Sequence, residues 1–217
     1  MTAISKTLVK VCGITRAEDA RALDALHVDW LGFNFWPGSK RYITPEAAAP
    51  LIASLRHAEP VGVFVDHTPE EIARIAALTG IRVVQLHGRE GWETLERITL
   101  PVIKAIPHTR IADGGGLLPE WSLRSGQPRH FLVDTQAGNT FGGTGATFDW
   151  SLLVPNPLPR PFFLAGGIGP ENLAAAMSAC HPFAVDLNSR VETAPGVKDV
   201  AAVIRCLQLI ENQKSVC

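Results

Sequence analysis

Cysteine is scarce in this chain, and so are methionine and tyrosine: four, two and one among 217 residues. Cys12, Cys180, Cys206 and Cys217 lie far apart with no CxxC pair, which argues against a zinc cluster or a disulfide framework and leads us to expect no bound metal. Excess charge of either sign is missing too. Twenty Lys and Arg against 21 Asp and Glu leave a formal charge of -1, so nothing electrostatic favours nucleic acid or a membrane surface as partner. No run approaches the roughly 18 apolar residues of a spanning helix, and the first residues lack the apolar core of a signal peptide. The expectation is a soluble, cytoplasmic protein that handles a small molecule.

What the chain does have is core material, at 46% hydrophobic residues. Eight short runs rich in Val, Ile, Phe and Leu recur along it, near 8–11, 30–35, 61–65, 82–86, 102–106, 131–133, 162–165 and 183–187. They are mostly continuous rather than alternating, as expected of parallel strands buried on both faces. Helix signals separate them. Thr15 opens an amphipathic stretch ending near Leu26, and Thr44 with Pro45 gives an N-cap and a first-turn proline. Thr68, Pro69 and Glu71 add a capping box, and Gly169–Pro170 and the stretch 197–211 supply two more helices. Pro50 predicts a kink or a shortened first turn. The crossover after Ile106 contains Gly114 to Gly116 and Pro119, and the one after Asp149 contains Pro155, Pro157 and Pro159, so both should carry only short turns. Eight strands with crossovers and no linker predict an α/β fold, a single-domain (β/α)8 barrel over residues 1–217 with short or irregular fifth and sixth crossover helices.

A parallel barrel collects its chemistry at the C-terminal ends of the strands. Polar residues there are Cys12, Asn34, Arg41, Asp66, Gln85, His87, Lys104, Asp134, Asp186, Asn188, Ser189 and Arg190. Each has a structural reading beside the functional one: Cys12 as a small buried hydrophobe, Asp134 as a loop brace, Arg41 as a solvated cation, His87 as a strand-end hydrogen-bonding group, and Lys104 and Gln85 as packing inside the barrel. The glycines point further. Gly166 and Gly167 end the seventh run just before a helix, where backbone amides can approach an anion closely and many barrels hold a phosphate. Gly142 and Gly143 lie in a second glycine-rich loop, which lacks the lysine of a nucleotide-binding P-loop. Cys12, between an apolar run and the helix start at Thr15, would feel a dipole that eases loss of its proton.

The stretches KVCGIT, LGFNFWPGSKRYI, VGVFVD, VQLHG, IKAI, LVDT, GGTGATFDW, LAGGI and AVDLNSRVETAPGVKD, in that order from first strand to last helix, resemble the phosphoribosylanthranilate isomerase family of tryptophan biosynthesis. The resemblance implies a cofactor-independent aldose-ketose isomerisation, the Amadori rearrangement of N-(5-phosphoribosyl)anthranilate to 1-(2-carboxyphenylamino)-1-deoxyribulose 5-phosphate. It makes Cys12 the general base and Asp134 the general acid. Arg41 would engage the anthranilate moiety, and Gln85, His87, Gly142, Gly143, Gly166, Gly167, Asp186, Ser189 and Arg190 would line the substrate site, with the phosphate on amides near Gly166, Gly167, Ser189 and Arg190. A monomer or homodimer is expected. One departure stands out: the family commonly has a glycine where this chain has Arg190. The rival readings are another phosphosugar isomerase or epimerase barrel, which would share the glycines without the CGIT cysteine, and a phosphate-binding barrel without catalysis.

Overall fold

In the computed structural model, which describes residues 6–112, 128–135 and 147–213, the eight apolar runs close into a parallel barrel. The strands are β1 (Leu8–Cys12), β2 (Trp30–Asn34), β3 (Glu59–Phe64), β4 (Val83–Leu86), β5 (Val102–Pro107), β6 (His130–Asp134), β7 (Phe162–Leu164) and β8 (Ala184–Leu187). Each pairs with its neighbour in chain order, and β8 returns to β1. Helices α1 (Ala17–Ala25), α2 (Pro45–Ala53), α3 (Pro69–Thr79), α4 (Trp92–Glu96), α5 (His108–Ala112), α6 (Leu173–Cys180) and α7 (Val200–Gln213) fill the crossovers. The fifth has only the single turn of α5 among its described residues, and the sixth only a 3-10 turn, Trp150–Leu153.

The capping chemistry works where a side chain and a proline cooperate. Thr44 accepts from the Ala47 amide with Pro45 in the first turn, and Thr68 and Glu71 form a reciprocal capping box. Helix α2 continues through Pro50 to Ala53. Three expectations need correction. Helix α1 starts at Ala17 with Arg16 as N-cap, and the Thr15 hydroxyl instead donates to the Gly196 carbonyl at 2.7 Å. Helix α6 starts at Leu173 rather than at Gly169–Pro170, because Asn172 spends its side chain on the preceding loop, accepting from the Gly169 amide and donating to the Gly167 carbonyl. Residues 197 and 198 are not helical. They form β10 (Val197–Lys198), antiparallel to β9 (Glu192–Ala194), and α7 follows.

Period-two geometry sorts each strand between two cores. On β1, Val9 and Val11 pack outward against the helices, so Leu8, Lys10 and Cys12 point inward. On β6, Phe131 and Val133 go outward and Leu132 inward, which sends Asp134 inward as well. The same parity puts Gln85 of β4 and Asp186 of β8 inside. Lys104 was expected inside the barrel, but it shares the outward parity of Val102 and Ile106. There it is buried against Glu90 (2.7 Å) and the Gly88 carbonyl (2.7 Å).

Candidate active site

Register explains how the first strand builds its part of the mouth. Lys10 of β1 lies directly across from Asp186 of β8, and their side chains form a buried ion pair at 2.9 Å. Two residues on, Cys12 lies across from Gly32 of β2. A Cβ at position 32 would stand 2.8 Å from Cys12 Sγ and 3.3 Å from Lys10 Nζ, so the thiol and the ammonium share the space that the glycine leaves. Against burial, which alone would lower it, Asp186 and Cys12 raise Lys10 above the ordinary lysine value. Burial pushes the Cys12 thiol up, Lys10 pulls it back, Asp186 adds to the rise, and Lys198 opposes it more weakly, so the net effect is upward. The cations that face Cys12 are therefore lysines. The α1 dipole, expected to serve this purpose, fades within the first turn of a helix that does not begin until Ala17.

Beyond β8 a second cluster closes over Gly13, the glycine after Cys12. A Cβ on Gly13, whose φ is +79°, would meet Arg41 Cδ at 2.5 Å and Asn188 Oδ1 at 3.0 Å. Arg41 donates through Nε and Nη2 to Glu192, the latter at 2.7 Å. Glu192 also accepts from Lys198 Nζ at 2.6 Å, and Lys198 reaches Asn188 Oδ1 at 3.1 Å. Although burial opposes ionisation, Arg41 and Lys198 hold the Glu192 carboxyl below its usual range.

Asp134 ends β6 on the opposite part of the wall. Its Oδ1 accepts from the Thr135 amide at 2.7 Å, and its Oδ2 lies 3.4 Å from His87 Nε2. The other ring nitrogen of His87 is 2.9 Å from the Gln85 amide nitrogen. Asp186 feels both this group and Lys10 electrostatically, linking the two sides of the mouth.

The glycine turn adjoins the acid. Gly166 and Gly167 have φ of +83° and +62°, and a Cβ on Gly166 would come within 3.0 Å of the Thr135 nitrogen. Such close approach needs glycine. A Cβ at Gly169 would sit 2.7 Å from Arg190 Cβ, so the loop after β7 abuts the 3-10 turn Ser189–Val191 after β8. Gly166, Gly167, Ser189 and Arg190 are thus brought together, as are Cys12, Arg41, Gln85, His87, Asp134 and Asp186 around the mouth. Gly142 and Gly143 lie outside the described residues. Lys10, Glu192 and Lys198 were missed by the sequence reading. Lys10 could have been found as a charge two residues before Cys12 within an apolar run, and Glu192 and Lys198 as the charged residues of the last motif, AVDLNSRVETAPGVKD.

A buried thiol and a carboxylate on the inner face of one end of a parallel barrel, with a glycine turn beside the carboxylate, form a donor set suited to proton transfer in the (β/α)8 class of barrels. The sequence profile of the N-(5'-phosphoribosyl)anthranilate (PRA) isomerase family matches residues 9–209. The chain belongs to this family. It is 40% identical over 208 residues to the N-(5'-phosphoribosyl)anthranilate isomerase of Nitrosospira multiformis, covering 94% of this chain and 98% of that one. Its fold is similar to the crystal structure of phosphoribosyl anthranilate isomerase from Thermus thermophilus, with a TM-score of 0.82 and 37% identity over 95% of this chain and all of that one. A phosphoribosyl anthranilate isomerase solved with reduced 1-(o-carboxyphenylamino)-1-deoxyribulose 5-phosphate is similar at a TM-score of 0.80 and 35% identity, covering 95% of this chain and 99% of that one.

Proposed function

We propose that Cys12 and Asp134 carry out the Amadori rearrangement of N-(5'-phosphoribosyl)anthranilate as base and acid. Asp134 gives its proton to the ribose ring oxygen, the C1–O bond breaks, and the anthranilate nitrogen lone pair forms a protonated imine. That cation acidifies the hydrogen on C2. Cys12, as thiolate, removes it, the electron pair moves into a C1–C2 double bond, and the resulting enolamine tautomerises to the ketose. Proton transfers of this kind contribute roughly 10²–10⁴-fold each.

Arg41 receives the anthranilate. Its Nε and Nη2 are committed to Glu192, which leaves the Nη1 edge and the planar face for the carboxylate or the ring. The phosphate rests on the amides of Gly166, Gly167, Ser189 and Arg190, while His87 and Gln85 orient Asp134 and the sugar. No cofactor takes part, and the enzyme works in the cytoplasm as a monomer or homodimer. Among the described residues, no helix is long and apolar enough to cross a membrane.

The observation that carries this reading is the shared inward parity of Cys12 and Asp134 at the same end of the barrel; a protein that only bound phosphate would need neither. The test is loss of phosphoribosylanthranilate fluorescence with purified protein. Turnover by the wild type is expected, and an inactive wild type would favour a binding protein.

A further inference from the structure

The charges around Cys12 fall into two sets. Lys10 and Asp186 form a one-to-one pair that is neutral as a unit. Arg41, Lys198 and Glu192 form a set with two cations to one carboxylate. The second set therefore has one positive charge left over, and it reaches the thiol's neighbourhood through Asn188, whose Oδ1 accepts from Lys198 Nζ and would stand 3.0 Å from a Cβ on Gly13, the residue after Cys12. Its ammonium is not a surface group. The Lys198 side chain is fully buried, and it is fixed by Glu192 at 2.6 Å and Asn188 at 3.1 Å. A buried cation without a full counter-charge is costly unless some anion arrives to balance it. In the free enzyme, before the anthranilate carboxylate reaches Arg41, a thiolate at Cys12 balances that charge.

We propose that Lys198 is a positioning residue for the isomerisation, its ammonium held by Glu192 and Asn188 so as to supply the positive charge that the Cys12 thiolate needs. The proposal rests on Cys12 acting as the base. Burial keeps Lys198 below the ordinary lysine value, with Glu192 and Cys12 pulling it back up, so the ammonium and thiolate support each other. The other titratable groups around this cluster are Lys10 on β1, Asp186 on β8, Glu192 on β9, Arg41 after β2 and Asp19 on α1, which accepts from the Lys198 backbone amide at 3.1 Å, with Asp134 and His87 farther across the mouth.

The experiment compares Lys198→Met, Lys198→Gln and Lys198→Arg with wild type. Each is checked for folding by circular dichroism, and then the pH profile of kcat/KM and the rate of Cys12 alkylation by iodoacetamide are measured. The Gln variant offers an uncharged amide donor to the same two partners, so it stands in if Met prevents folding. The neutral variants are expected to move the acidic limb and the alkylation profile up by about one pH unit, a tenfold loss at neutral pH. Arg should restore most of both. A folded neutral variant with an unmoved limb overturns the proposal, and so does an Arg variant displaced as far as the neutral ones. Cys12→Ser separates the two levels: if it keeps wild-type turnover the base assignment itself fails, whereas an inactive Cys12→Ser with an unmoved Lys198→Gln limb removes only the role of Lys198.

Discussion

The inside of the barrel is built from different chemistry at its two ends. At the strand starts Trp30, His130, Phe163 and Phe183 pack ring on ring, Trp30 and Phe163 at 5.0 Å between centroids and His130 stacked on Phe183 at 4.7 Å. At the strand ends the same wall carries Lys10, Cys12, Gln85, Asp134 and Asp186. The floor is mostly aromatic, its few polar groups being the Trp30 indole, which donates to Glu59, and the His130 ring, so it contributes stability. The mouth takes charges out of water and must pair them, which lowers its margin but leaves reactive groups fixed in place.

Substitutions at each end should therefore separate turnover from stability. The largest effects belong to Cys12→Ala and Asp134→Asn, each expected to cut kcat by roughly 10²–10⁴-fold with an unchanged far-UV circular dichroism spectrum. Wild-type rates in both would end the proposed mechanism. Lys10→Met leaves Asp186 buried without its cation and should cost about 3–5 kcal/mol by urea unfolding, most of it regained in Lys10→Met/Asp186→Leu. If the double variant is no more stable than the single one, the pair is not the unit we describe. On the floor, Phe163→Ala should lose about 3–5 kcal/mol while kcat/KM per folded molecule stays within a factor of about three. A large kinetic loss there would erase the distinction between the two ends.

The smallest effect is a pH dependence on the floor. Burial, and to a lesser degree Arg129, lowers His130 from 6.5 to about 4. The unfolded chain thus takes up this proton more readily than the folded one between those values. The stability gained by keeping the ring neutral is complete above the unfolded value and is lost as pH falls toward 4. His130→Phe should flatten the slope of unfolding free energy in that window, and an equal slope in both proteins would show that the loss comes from other groups.

The strands were legible because burial on both faces demands continuous apolar runs, and β1 to β8 fall within about two residues of those runs. Thr44 and Thr68 were legible as caps because the side chain and proline that make them are adjacent in sequence. Thr15 was misread for the converse reason: its partner, the Gly196 carbonyl, comes from the far end of the chain. Cys12, Arg41 and Asp134 came with roles attached to their motifs, whereas Glu192 and Lys198, although inside the last motif, acquire their surroundings only when the hairpin β9–β10 folds back toward Gly13. The inward parity that selects Lys10, Gln85, Asp134 and Asp186 is invisible in a run that is apolar on both faces, since no alternation marks which residue points in.

The missing side chain at Gly32 ties two positions on different strands into one inheritance. Because a methyl there would stand 2.8 Å from Cys12 Sγ, any replacement at 32 is judged by what occupies 12, and a bulkier group at 12 is tolerated only while 32 stays bare. Their mutational effects should not add. The bare position on the second strand therefore keeps open the exchange of this sulfur for another base, and closes as soon as a side chain appears there.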